Sequence, residues 1–328
     1  MRTGGIIRII VGLVIALLLT VFLILTFSGH NLMERLGWEG GWNWPFWSTK
    51  YSFSDSETDD AGIIAEETVS LSAGDVAAIN IEWVAGSVEV RVGGGDEIVF
   101  YETARKTLTD AQKMRYMVTS GGELKIQYCE NVETVWKWFD KDRYNIPSKA
   151  LIMTIPASML GELEEFRIDG VSASLDVDGV SAEKVRLETV SGEIACANLT
   201  CAELKLSSTS GRLVCENCDV KDVSLNNVSG NIRASGTFRE IDTETVSGNV
   251  RIASTNIPDE IDGDSVSGDI TILLPEGAGF TVKLDSVSGE LSCEFSGTFS
   301  DKKIVCGDGE ADYSFDSVSG NIHIGINQ

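Results

Sequence analysis

Two patterns of apolar residues divide the chain. The first is unbroken: Ile9 to Phe27 runs 19 positions without a charge. A helix rises ~1.5 Å per residue, so this stretch covers ~28 Å, close to a bilayer's hydrocarbon core, and predicts a transmembrane helix over 9–27. A cleaved signal peptide has a shorter apolar run and a small-x-small cleavage site, which Phe27-Ser28-Gly29-His30 does not offer. Arg2 and Arg8 precede the span, and His30, Glu34, Arg35 and Glu39 follow it. That asymmetry places residues 1–8 in the cytoplasm and the rest of the chain outside.

From about residue 62 the apolar residues alternate with polar ones, the mark of strands with one buried face. In the C-terminal half a repeat organises the alternation. A Ser-Gly step recurs seven times: TVSGEI (189–194), STSGRL (208–213), NVSGNI (227–232), TVSGNV (245–250), SVSGDI (265–270), SVSGEL (286–291) and SVSGNI (317–322). Its glycines, Gly192, Gly211, Gly230, Gly248, Gly268, Gly289 and Gly320, are 19, 19, 18, 20, 21 and 31 residues apart, the last interval carrying an insertion around Lys302 to Gly309. Apolar residues alternate on both sides of each step, as in Leu204 and Leu206 before and Leu213 and Cys215 after, but their parity flips. A slip of that kind turns side chains outward unless the backbone bends. Each step therefore predicts a bend, with glycine free to take positive φ there.

Two degenerate corners, GVSASLDV (170–177) and GVSAEKV (179–185), carry Ala in place of Gly and start nine residues apart. Each coil is thus expected to have one Ser-Gly corner and one variable corner. Residues recurring once per coil form columns of like side chains only if coils stack parallel and in register. This favours a solenoid over an antiparallel meander whose corners are hairpin turns. The predicted fold is all-β, a single-stranded β-solenoid of about 20-residue coils over 166–328, preceded by the N-terminal transmembrane helix.

Residues 62–165 read as a β-rich, non-repetitive first part. Val76–Val92 alternates like two strands around Ala85-Gly86-Ser87, and 97–101, 123–128 and 151–155 read as further strands. Asp110–Met117 predicts a short helix. Val132–Tyr144, with Trp136, Trp138, Phe139 and Tyr144, is expected to cover the open end of the solenoid, although an aromatic patch for a partner fits the same residues. Between helix and domain, residues 28–61 comprise a Trp-rich stretch (Trp38, Trp42, Trp44, Trp47) and an acidic linker, Ser52–Asp60. The indoles suit either an interfacial foot at the lipid headgroups or an aromatic-biased linker.

The SVSGDI-type repeats, the AGSVEVRV pair and the IMTIP segment resemble a bacterial β-strand-repeat domain of unknown function that carries an adhesin label. The resemblance covers roughly Val76 to Gln328 and implies a β-solenoid at the bacterial cell envelope. Some members are similar to proteins associated with antimicrobial and envelope-stress responses in Gram-positive bacteria. No catalytic residue is established for the family, so none carries over.

Composition narrows the function further. Lys and Arg number 26 against 50 Asp and Glu, a formal charge of −24, which excludes nucleic-acid binding and docking of the folded body on an anionic membrane. Two His residues remove most metal-hydrolase and Ser/His/Asp schemes. No G-x-S-x-G, P-loop or H-E-x-x-H motif occurs. Seven equivalent serines, Ser191 to Ser319, argue for corner structure rather than a nucleophile, which needs one special environment. Of the seven cysteines, Cys196, Cys215 and Cys293 share one inward column, Cys215 and Cys218 form a lone C-x-x-C, and Cys201 and Cys218 lie in neighbouring variable corners where they could bond. One column ahead of each corner carries carboxylates. Glu244, Asp264 and Asp285 are expected successively ~4.8 Å apart on one outer edge, where they suit either weak Ca²⁺ binding or a solvated acidic ridge.

These readings point to a single-pass membrane protein with no catalytic residues and no cofactor. Its outer β-solenoid would serve cell-envelope interaction or adhesion, with the bilayer, an envelope protein, a glycan or a cationic peptide as partners and no nucleic acid. The alternative is a regulator or sensor in envelope-stress signalling through antimicrobial peptides. A polysaccharide-active enzyme of the β-helix type ranks last, because no general base or Arg stands out beside the paired carboxylates.

Overall fold

The computed structural model describes residues 68–129, 147–300 and 302–327, and the backbone of Ile63–Ile64. The helix expected at 9–27, the Trp-rich stretch and linker of 28–61 and the aromatic segment at 132–144 lie outside the described residues. No helix among the described residues is long and apolar enough to cross a membrane.

The chain begins with β1 (Ile63–Ile64), β2 (Val69–Ser72), β3 (Ala78–Gly93), β4 (Glu97–Ala104), β5 (Arg115–Val118), β6 (Glu123–Gln127) and β7 (Lys149–Pro156). The repeat region follows as β8 (Leu163–Asp178), β9 (Ser181–Thr189), β10 (Ile194–Ala197), β11 (Thr200–Ser208), β12 (Leu213–Asn227), β13 (Ile232–Thr245), β14 (Val250–Ser254), β15 (Glu260–Ser265) and β16 (Ile270–Leu274). The last part comprises β17 (Phe280–Ser286), β18 (Leu291–Cys293), β19 (Gly297–Ser300), β20 (Lys303–Cys306), β21 (Ala311–Ser317) and β22 (Ile322–Ile326).

The pairings between coils are parallel, and in register except for one slip between β12 and β13 at Cys215–Cys218. One ladder holds the segments before the Ser-Gly corner: β6, the first half of β3, the first half of β8, β9, β11, and the second halves of β12 and β13, then β15, β21 and β17. The other holds the segments after it, from β7 and the second half of β3 through β10, β14 and β16 to β22 and β18. Each coil thus gives one strand to each ladder, and apolar side chains from both fill a single continuous core. The ends are closed by antiparallel strands. β5 and β1 extend β6, β4 and β2 extend β7, and β20 and β19 extend β17.

The stacking order departs from chain order at the C-terminus. β21 sits between β15 and β17, and β22 between β16 and β18, so the final coil inserts between the two that precede it. Size complementarity explains the choice. Gly263 lies opposite Phe315, and a Cβ on Gly263 would come within 2.5 Å of the Phe315 ring. Tyr313 donates its hydroxyl proton to the Pro258 carbonyl and stacks on Phe280 with ring centres 5.2 Å apart.

The corners confirm the bend but correct the reason for glycine. None of the seven corner glycines has positive φ. They are required by close approach instead: a Cβ on Gly211 would lie 1.6 Å from the Gly192 carbonyl oxygen, and one on Gly248 1.9 Å from that of Gly230. The side-chain oxygen three residues before the glycine accepts the glycine N–H, as with Thr189, Ser208, Asn227, Thr245 and Ser317 at 2.8–3.3 Å and with Ser286, whereas Ser265 donates its hydroxyl to the Gly268 carbonyl. The corner serines donate their hydroxyls to a carbonyl of the adjacent rung, from Ser267 to Val246 at 3.1 Å and from Ser319 to Val266 at 3.2 Å. A ladder of Asn231, Asn249, Asp269 and Asn321 runs alongside, each side-chain oxygen accepting the next rung's backbone N–H.

Three local expectations change. Asp110–Gln112 is only a 3-10 turn, held by a capping box with Thr109, because Arg115–Val118 is drawn into an antiparallel pairing with β6. Val76–Val92 is one strand rather than two, bent at Gly86, whose φ is +108°. Of the degenerate corners, Ala173 does occupy a glycine position beneath Gly192, whereas GVSAEKV forms a variable corner with Ala182 opposite Cys201.

Candidate ligand-binding face

Side chains that alternate with the core residues of the first ladder stand on its outer face in three columns. The first reads Lys184, Glu203, Asp222, Glu240, Glu260 and Asp312; the second reads Arg186, Lys205, Ser224, Asp242, Asp262 and Ser314. The third reads Glu188, Ser207, Asn226, Glu244, Asp264, Asp316 and Asp285. A shallow cleft of about 460 Å³ runs across five rungs, with Lys184, Arg186 and Lys205 at one end and Asp222, Glu240, Asp242, Glu260 and Asp262 at the other.

Charge sorts along this face. At the basic end the lysines are matched, Lys184 to Glu203 at 3.2 Å and Lys205 to Glu188 at 2.9 Å. Further along, β13 and β15 present Glu240, Asp242, Glu244, Glu260, Asp262 and Asp264 with no basic residue among them. Arg239 reaches Asp222 at 2.7 Å and Glu240 at 2.9 Å from the flank. Neighbouring rungs are ~4.8 Å apart, so these carboxylates repel. Asp264 is pushed up to about 6 by partial burial and then by the charges of Asp316 and Glu244. Asp242 is raised by burial, Glu244 and Asp262.

The structure brings Glu244 and Asp264 side by side as expected, but Asp316 stands between Asp264 and Asp285. The inserted last coil is the cause, and Asp285 pairs with Lys302 at 3.4 Å instead. The expected succession of Glu244, Asp264 and Asp285 is corrected accordingly. The array is also wider than the single edge read from the sequence. Its signal was present as EIDTE at 240–244 and EIDGD at 260–264, two matching segments whose every second residue is acidic.

Other candidate groups separate by surroundings. His323 lies between Ser292, 3.0 Å from its Nδ1, and Glu294, 3.5 Å from its Nε2, on the outer face of a strand, and Ser292 also donates to the Ile322 carbonyl. All seven cysteines are thiols. Cys201 and Cys218 do not bond: Cys218 faces Cys196 and Cys215, and burial pushes the Cys201 thiol up to about 12. Lys149 is a buried cation that sequence reasoning missed. Its Nζ pairs with Glu102 at 2.7 Å, donates to the Gln112 carbonyl at 2.7 Å and lies over the Tyr128 ring at 4.0 Å. Its pKa is lowered by burial, against the pull of Glu102. This cluster ties the closing strands together around Trp83, whose indole donates to the Lys149 carbonyl.

The profile of the family described as Toastrack DUF4097 matches residues 75–325. A solved structure of a candidate adhesin from Bacteroides fragilis NCTC 9343 is 13% identical, covering 79% of this chain and 98% of its own, with a TM-score of 0.42. A candidate cell-adhesion protein from Clostridium sporogenes ATCC 15579 is also 13% identical, covering 81% and 100%, with a TM-score of 0.29. No curated protein matches the chain.

Proposed function

Because the chain belongs to the Toastrack DUF4097 family, we propose that it is a non-enzymatic recognition module, tethered to the bacterial membrane by residues 9–27, whose acidic solenoid face engages cationic partners in the cell envelope. One observation carries this reading: two adjacent rungs present six carboxylates on one outer face, one of which, Glu240, is met by Arg239 from the flank. Such a surface attracts polycations over distances of about a Debye length, ~8 Å at physiological salt. Repetition at the rung spacing suits an extended chain bearing several cations, each contact reinforcing the next. A regulatory role, in which a cationic antimicrobial peptide is sensed at this face, draws on the same chemistry. Adhesion to a positively charged envelope protein does so too.

The test uses the full-length chain in neutral lipid vesicles. Binding of an oligolysine peptide is compared with a neutral glucan for the native chain and for the variant D242N/E244Q/D262N/D264N. The native chain is expected to bind the peptide, more weakly as salt rises, and the variant to lose at least about tenfold in affinity. Equal binding by both chains, or preference for the glucan, would sink the proposal.

A further inference from the structure

Three cysteine sulfurs meet at one variable corner. Cys196 and Cys215 stack in neighbouring rungs, and Cys218 turns in beside them, so that the three Sγ atoms lie within 4.8 Å of one another. All three side chains are buried. The same column elsewhere holds Val177, Ala234, Ile252, Ile272 and Ile324, and Cys218 sits opposite Gly236. Aliphatic carbon therefore satisfies the packing at every equivalent rung but the last one, Cys293.

A bulge brings Cys218 inward. The register slips between Cys215 and Cys218, and Asn217 takes a φ of 55° there. Asn198, in the preceding rung, has a φ of 54°. They are the only non-glycine residues with positive φ among the described residues. Left-handed asparagine is tolerated at an energetic cost, and such strain gathers where a structure has a use for it.

We propose that Cys196, Cys215 and Cys218 form a trithiolate site for one soft monovalent cation of the Cu(I) type. Thiolates are soft ligands that select Cu(I), Zn(II) or iron–sulfur clusters. Metal–sulfur bonds of about 2.3 Å would set three trigonal sulfurs ~4.0 Å apart, within the observed span. Zn(II) takes four ligands, and no histidine or carboxylate joins this group among the described residues. Coordination then forms three Cu–S bonds, releases the protons of the three thiols to solvent and leaves the oxidation state of copper unchanged. Affinity rises with pH for that reason. Glu216 and Asn217, between two of the three cysteines in the chain, are exposed.

The experiment titrates the full-length chain, reduced and free of oxygen, with Cu(I) against a coloured Cu(I) chelator, and repeats it for C218S, C201S and C293S/C306S. One Cu(I) per chain is expected to be withheld from the chelator, with an ultraviolet thiolate-to-copper absorption and proton release to a pH dye. C218S is expected to lose at least about tenfold in affinity while keeping the native circular dichroism, and C201S and C293S/C306S to bind as the native chain does. If C218S misfolds, C196S supplies the same comparison. Loss of all Cu(I) to the chelator, dependence on Cys201 or on Cys293 and Cys306, or displacement of Cu(I) by equimolar Zn(II) would each overturn the site.

Discussion

At the corner glycines a single missing Cβ decides whether two coils can touch. The Ser-Gly step is rigid because three partners are satisfied at once: the inward oxygen three residues earlier, the serine hydroxyl on the neighbouring rung, and the carbonyl that passes where a Cβ would be. Gly248→Ala would place a methyl 1.9 Å from the Gly230 carbonyl oxygen, a backbone atom that cannot swing aside. Overpacking of this kind costs about 1–3 kcal/mol, or a melting point lower by roughly 3–10 °C in a domain of this size. Gly94, which has open space around it and no positive φ, is the matched control, and Gly94→Ala should leave the melting point within about 1 °C. Thermal melts of the two variants check both values; equal shifts would remove close approach as the reason for glycine. The sequence carried the recurrence and the parity flip, so the bend was legible. The cause was not, because the carbonyl that excludes a Cβ comes from another coil some 20 residues away, and single-chain reasoning assigns glycine to torsional freedom by default.

At the scale of strands, β13 and β15 show how one element serves two ends. Their inward residues, Ile241, Thr243, Ile261 and Gly263, build the core, and their outward residues build the acidic array. The array works against the fold at neutral pH. Folded Asp264 gains its proton near pH 6, whereas in the unfolded chain it does so only near the ordinary 3.8. Between those values the folded state binds more protons, so this group's contribution rises as pH falls from 7 towards 4 and is constant below that. Because the carboxylate faces solvent, the effect is small, ~0.5–1 kcal/mol. Melts at pH 7 and pH 5 are expected to show the native chain gaining stability in mild acid. Asp264→Asn should raise the melting point at pH 7 and shrink the difference between the two pH values; identical pH responses in both chains would refute the assignment. The same titration weakens oligolysine binding below pH 6, since each proton taken up removes a charge from the face. Alternation in EIDTE and EIDGD made these residues readable as outward. Which carboxylates share an edge depended on stacking order, and Asp285 was misplaced by one rung for that reason.

For the whole molecule, the decisive departure from sequence order is the inserted final coil. Repeat proteins ordinarily lose stability rung by rung, each coil leaning only on its chain neighbours. Here β17 and β18 meet the body of the solenoid solely through β21 and β22 among the described pairings. The repeat itself gave no warning, because SVSGEL and SVSGNI look interchangeable; the hint lay in the 31-residue interval and in Gly263, a small residue facing the bulky Phe315. Ending the chain at Glu310 deletes only the 18 residues 311–328, yet it should strand the strands before them as well. Residues 280–306 would keep their own hairpin but lose the parallel edge that buries Phe280 and Leu284. Hydrogen exchange on the truncated chain is therefore expected to show protection lost throughout 280–293 and preserved in β9 to β13. Its denaturant m-value should fall by the share of surface belonging to about 50 residues rather than 18. Protection retained at 280–293 would mean that those strands can dock directly on β15 and β16, and the final coil would then be an addition to the stack instead of the piece that joins its two parts.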